Sequence, residues 1–156
     1  MPRAVRRFAL LSGLALSALL GGSVAVAQAS DNTLRSTLNS YSAKIVKDEN
    51  AVKAGLSGYP SGKVRPLVRA LNHEVLDLHT LKSKLTHESA SSARGAKAKG
   101  DIVKGLGLIA KAYGTLRKDV QAAKGGPVPT AQVNAAVKTD KKGRGKLLAG
   151  LKLLST

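Results

Sequence analysis

Residues 101–124, DIVKGLGLIAKAYGTLRKDVQAAK, decide the fold. At about 100° per residue, Ile102, Leu106, Ile109, Tyr113, Leu116 and Val120 recur in alternating steps of four and three and share one narrow stripe. The stretch is therefore predicted to be a helix buried along one side. Lys97, Lys104, Lys111 and Lys118 recur every seven residues on the opposite side. Such a row spaces its members about 10.5 Å apart. One edge of the rod is apolar and the other is cationic.

Downstream, Gly125-Gly126-Pro127 ends this helix and Pro129-Thr130 opens another, because a proline in the first turn gives up no intrahelical hydrogen bond. Val133, Val137, Leu147, Leu148, Leu151 and Leu154 share a face of that last helix. The intervening TDKKGRGK, residues 139–146, is polar and carries two glycines, so the pattern leaves open whether the helix breaks there.

Upstream, Val64, Leu67, Val68, Leu71, Val75, Leu78, Leu81 and Leu85 form the stripe of a second helix, with Pro66 tolerated in its first turn. Between it and the central helix lies the turn Ser89-Ala90-Ser91-Ser92, followed by a weakly helical Arg94–Gly100. Gly95 and Gly100 should each cost about 1 kcal/mol there relative to alanine. A first helix, capped by Asn32 or Thr33, carries Leu34, Leu38, Tyr41, Ile45 and Val52 and stops near Gly55–Gly58, before Tyr59-Pro60-Ser61-Gly62.

Four helices joined by short connections predict an all-α, antiparallel up-down-up-down four-helix bundle. Asp48 interrupts the first stripe. Setting Leu34 level with Leu154 brings Asp48 level with Asp140 and within about one turn of Arg144, so Asp48 and Arg144 are expected to form a structural ion pair.

Ahead of the bundle, residues 1–29 read as a signal-peptide helix: Arg3, Arg6 and Arg7, an apolar run from Phe8, then Ala25-Val26-Ala27-Gln28-Ala29 with two small-x-small cleavage sites. Residues 30–156 then form a single domain. The expected location is extracellular, cell-wall or periplasmic, with an uncleaved membrane anchor as the lesser alternative, and without cysteine no lipid can be attached after the apolar run.

The chain carries a net charge of +17, has neither Cys nor Trp, and places its single Phe at position 8. Its core must be aliphatic, and disulfide and thiolate chemistry are excluded. The charge is uneven. Residues 30–90 hold nine basic and six acidic groups, whereas residues 91–156 hold fourteen and three. A field of one sign attracts polyanions over a range set by salt.

Motifs for catalysis are missing: there is no Gly-x-Ser-x-Gly elbow, phosphate-binding loop or dinucleotide fingerprint, and the acidic residues are scattered. Gly105-Leu106-Gly107 lies inside a helix, where Gly105 is expected to permit close helix approach. His73 and Asp77 are four apart and read as a solvated pair, while Glu74 and His79 read as surface residues. The sequence therefore predicts no enzyme, no metal, no cofactor and no small-molecule substrate.

The expected binding residues are Lys97, Lys104, Lys111, Lys118, Lys138, Lys141, Lys142 and Lys146. Lysines present mobile point charges without the planar fork of arginine, which suits adhesion to a polymer better than recognition of one molecule. The expected partner is an anionic envelope polymer or anionic membrane surface. An acidic protein partner or self-assembly is the alternative, and nucleic acid ranks below both, because export and the lack of aromatic stacking platforms argue against it.

Overall fold

The computed structural model describes residues 29–155, and within them the chain is all-helical with no strand. The expected leader lies outside these residues except for Ala29. Helix α1 spans Ala29–Gly58, a short 3₁₀ turn Tyr59–Ser61, α2 Val64–His87, α3 Ala93–Ala122 and α4 Thr130–Ser155. No described helix is long and apolar enough to cross a membrane.

The start of α1 differs from expectation. The helix opens at Ala29 and takes Asn32 and Thr33 into its body. Asp31, now in the first turn, is buried and accepts hydrogen bonds from Ser91 and Ser92 at the head of α3. Ser92 in turn caps α3 by accepting from the Gly95 amide at 2.8 Å. A Cβ on Gly95 would stand 2.1 Å from the Asp31 carboxylate. That glycine, read as a helix weakness, is what lets the two helix ends meet.

The central stripe packs as its spacing requires. Ile102, Leu106, Ile109, Tyr113, Leu116 and Val120 are all buried, with Leu34, Ile45, Leu67, Leu78, Leu81 and Leu85 among their core companions. Each fully buried side chain of this size contributes about 1.5–3 kcal/mol before conformational entropy is charged against it. Lys97, Lys104, Lys111 and Lys118 are exposed on the far side.

Helix α4 runs unbroken through residues 139–146. Its glycines serve the contact with α3: a Cβ on Gly143 would lie 2.9 Å from the Gly105 carbonyl, and one on Gly105 would lie 2.6 Å from the Leu147 amide. Gly150 meets Ala98 and Ile102 in the same way. Backbone touches backbone along this seam, so dispersion contacts replace what larger side chains would supply. Gly145, one residue from the seam's edge, has nothing within 4 Å.

Two glycine-to-alanine changes separate seam packing from helix propensity. Gly145→Ala should stabilise by up to about 1 kcal/mol, because the chain loses unfolded-state freedom and meets no obstacle. Gly143→Ala should destabilise by about 1–3 kcal/mol despite the same propensity gain, because the added methyl forces α3 and α4 apart. Urea unfolding midpoints of the two variants provide the check.

Candidate functional site

Halfway along the helices the aliphatic core gives way to a charged layer. Each helix contributes a side chain: Glu49 from α1, Glu74 from α2, Tyr113 from α3, and Asp140 with Arg144 from α4, all buried. Arg144 donates from Nη2 to Glu49 Oε1 at 2.9 Å and to the Tyr113 hydroxyl at 3.1 Å, and from Nε to Asp140 Oδ2 at 2.9 Å. Arginine suits this position because its guanidinium stays charged and offers several donors in one plane.

The ion-pair partner of Arg144 is thus corrected from Asp48 to Glu49, with Asp140 as a second carboxylate from the same helix. Both residues flank the α1 stripe. Ile45, Glu49, Val52 and Leu56 continue the four-three spacing into the core, whereas Asp48 is half-buried and lines the groove beside Asp77 of α2. The spacing of Leu56, which the sequence reading left out, was the signal that could have found Glu49.

Glu74 corrects a second expectation. Read as a surface residue, it is 1% exposed, and neither carboxyl oxygen has a hydrogen-bond partner among the described residues. Burial, aided by the charges of Glu49 and Asp48 and opposed by Arg144, pushes its carboxyl up to about 9. Glu74 is therefore a neutral acid near pH 7. Burial also raises Glu49 and Asp140, but the adjacent Arg144 opposes the rise in both. The Tyr113 phenol is pushed upward by burial and stays neutral.

A second cluster lies where α1 meets α2. Asp77, expected to be solvated beside His73, is buried and paired with Lys44 at 2.7 Å. Burial pushes the Asp48 carboxyl up to about 6, and its hydrogen bond to Asp77 and the Asp77 charge push in the same direction. Burial acts upward on Asp77 too, but hydrogen bonds from Asp48 and Lys44 outweigh it and hold that carboxylate below its usual value. The two acids lie side by side at the edge of an open groove between the helices. Among the described residues no group of three or more His, Cys, Asp and Glu side chains could hold a metal ion.

The cationic faces lie elsewhere. Lys97, Lys104, Lys111 and Lys118 on α3 and Lys138, Lys141 and Lys142 on α4 are exposed. Among the described residues none of these seven enters an ion pair. Lys146, also exposed, bridges to Asp101 of α3 at 3.1 Å, so its charge is partly answered by its own fold. The acidic residues are distributed in the opposite way: Asp31, Glu49, Glu74, Asp77 and Asp140 are buried. Carboxylates withdraw into the core while lysines stay in water, and the surface is more one-sidedly positive than the net charge alone suggests.

No family model, characterised protein or solved structure matches this chain.

Removing Arg144 alone would leave Glu49 and Asp140 buried without a counter-charge. Arg144→Met should therefore cost about 3–5 kcal/mol, whereas the triple change Glu49→Leu, Asp140→Leu and Arg144→Met should return stability to the starting value or above. Denaturant unfolding of both variants decides this.

Glu74 governs the pH response of the layer. The folded state keeps its proton up to about 9, whereas the unfolded chain releases it above about 4.5, so folding takes up a proton between those values and stability declines as pH rises through that window. Glu74→Gln should flatten this decline, its advantage over the wild type growing from about pH 5 to about pH 9 in urea titrations.

Proposed function

We propose that this chain is an exported, non-enzymatic helical protein that adheres through lysine-rich faces to anionic cell-envelope polymers or anionic lipid headgroups. The observation that carries the reading is the exposed row Lys97, Lys104, Lys111 and Lys118 on α3, joined by Lys138, Lys141 and Lys142 on the helix packed against it. With about 10.5 Å between successive members, the α3 row suits a flexible polymer or a sheet of headgroups that can meet each charge in turn. Point-like ammonium groups on long stems adapt to such a partner without demanding one geometry.

The architecture under this reading is an antiparallel up-down-up-down bundle. Its support is the order of partners at each seam: Gly55 with Leu67 and Lys44 with Asp77 for α1 and α2, Lys82 with Gly107 and Asn72 with Arg117 for α2 and α3, Gly105 with Gly143 and Ala98 with Gly150 for α3 and α4. Glu49 with Arg144 and Arg35 with the Leu154 carbonyl close the circuit between α1 and α4. In every seam numbering rises along one helix as it falls along the other. The two most lysine-rich helices are then neighbours, and their outer faces form one side of the molecule. Export rests on the arginine-flanked apolar run of residues 1–29.

Binding to vesicles of anionic phosphatidylglycerol, or to a phosphate-linked wall polymer, should weaken log-linearly with salt and be lost on neutral phosphatidylcholine vesicles. Changing Lys104, Lys111 and Lys118 together to glutamine should lower the salt slope on the polymer by about two to three while leaving helicity intact by circular dichroism. Unchanged retention in that variant would overturn the reading. In fractionated cells the protein should leave the envelope fraction in a high-salt wash.

A further inference from the structure

We propose that the groove between α1 and α2 is a docking site for an acidic amphipathic helix of a partner protein, separate from the lysine faces of α3 and α4. The groove has a volume of about 1220 Å³ and follows one stripe of α1 from Lys44 to Gly58. Fourteen helical steps make it about 21 Å long, the length of a helix of about four turns. Its apolar lining includes Ala51, Ala54 and Pro66, which are exposed, and Val64 and Val68, which are half-buried. Small side chains along one wall let another helix come close. Beneath them α1 and α2 are already in tight contact, since a Cβ on Gly55 would lie 2.7 Å from the Leu67 Cα.

Charge decides the occupant. Lys44, Lys47, Lys63, Arg65 and Arg69 line the groove, and all five are exposed. They are distributed over both walls and both ends: Lys44 and Lys47 on α1 at one end, Lys63 and Arg65 at the opposite end, Arg69 between. A lipid carries its charge at one end and would leave the other cations unanswered. A carboxylate polymer would answer the cations and leave the apolar walls in water. An amphipathic helix with an apolar stripe flanked by glutamates meets both requirements along the whole length, which is the helix-in-groove mode of recognition.

The groups facing the groove that can change charge are Asp48 from α1 and His73 and Asp77 from α2, while α3 contributes only the neutral Gln121. Lys44 neutralises Asp77, and Asp48 takes up its proton near pH 6, so the groove becomes more positive on mild acidification. An acidic helix should therefore bind more tightly at about pH 5 than at about pH 8, and Asp48→Asn should remove much of that difference.

The test uses the full chain and a synthetic 18-residue peptide with a leucine stripe flanked by glutamates, followed by amide chemical shifts. Binding with shifts at Ala51, Ala54, Gly58 and Val68 is the expected result. Lys47→Glu, Arg65→Glu and Arg69→Glu together should weaken it at least tenfold, and Ala54→Trp, which leaves every charge in place, should weaken it comparably by filling the groove from its α1 wall. Changing Lys104, Lys111 and Lys118 to glutamine should leave peptide binding unchanged, so this inference and the adhesion reading can fail independently. Equal binding of polyglutamate, insensitivity to Ala54→Trp, or palmitate displacing the peptide would each overturn the proposal, as would no binding at all.

Discussion

The structure depends on how Arg144 is accommodated. A guanidinium buried away from water carries a desolvation cost of several kcal/mol unless carboxylates and hydrogen-bond acceptors surround it. Glu49, Asp140 and the Tyr113 hydroxyl do so, from three of the four helices. Aliphatic stripes built from Leu, Ile and Val pack almost as well after a slip of one turn, but such a slip moves a carboxylate about 5.4 Å and leaves the cation alone. The layer therefore selects register, while the surrounding Leu and Ile side chains supply the stability.

The second constraint is the glycine seam. Helix α4 contains KKGRGK, a run with little to bury, yet it lies against α3 because Gly143 and Gly105 bring the backbones together without side chains between them. This arrangement frees the outward positions of the same segment for Lys138, Lys141 and Lys142. Close packing on one side and cationic display on the other thus arise from one short sequence. The burial of acidic residues acts in the same direction, because each carboxylate withdrawn from the surface leaves its neighbouring lysines less screened.

Much of this was legible in advance. The α3 stripe and its opposing lysines are found where their spacing puts them, since a buried helix face and a solvated one differ so strongly in transfer free energy that few contexts can exchange them. Gly105 was legible for the same reason, as a small residue beside a stripe. The misreadings share a cause. On a helix two adjacent residues can both lie within about 60° of the stripe, as Asp48 and Glu49 do, and only the neighbouring helices decide which one enters. An acid is rarely buried, so sequence alone favours the surface for Glu74, although Leu67, Leu71, Leu78, Leu81 and Leu85 imply its position by their spacing.

By itself the sequence determined that the chain forms amphipathic helices, where most of them stop, and which faces carry lysine, because those properties follow from periodicity and turn chemistry within single segments. Packing of the helices against one another settles which acid meets Arg144, that Glu74 holds its proton, that Gly95 and Gly143 are points of contact, and that α1 and α2 leave a groove between them. Each of these is a relation between helices distant in the chain, set by three-dimensional approach and by the cost of leaving a buried charge unanswered.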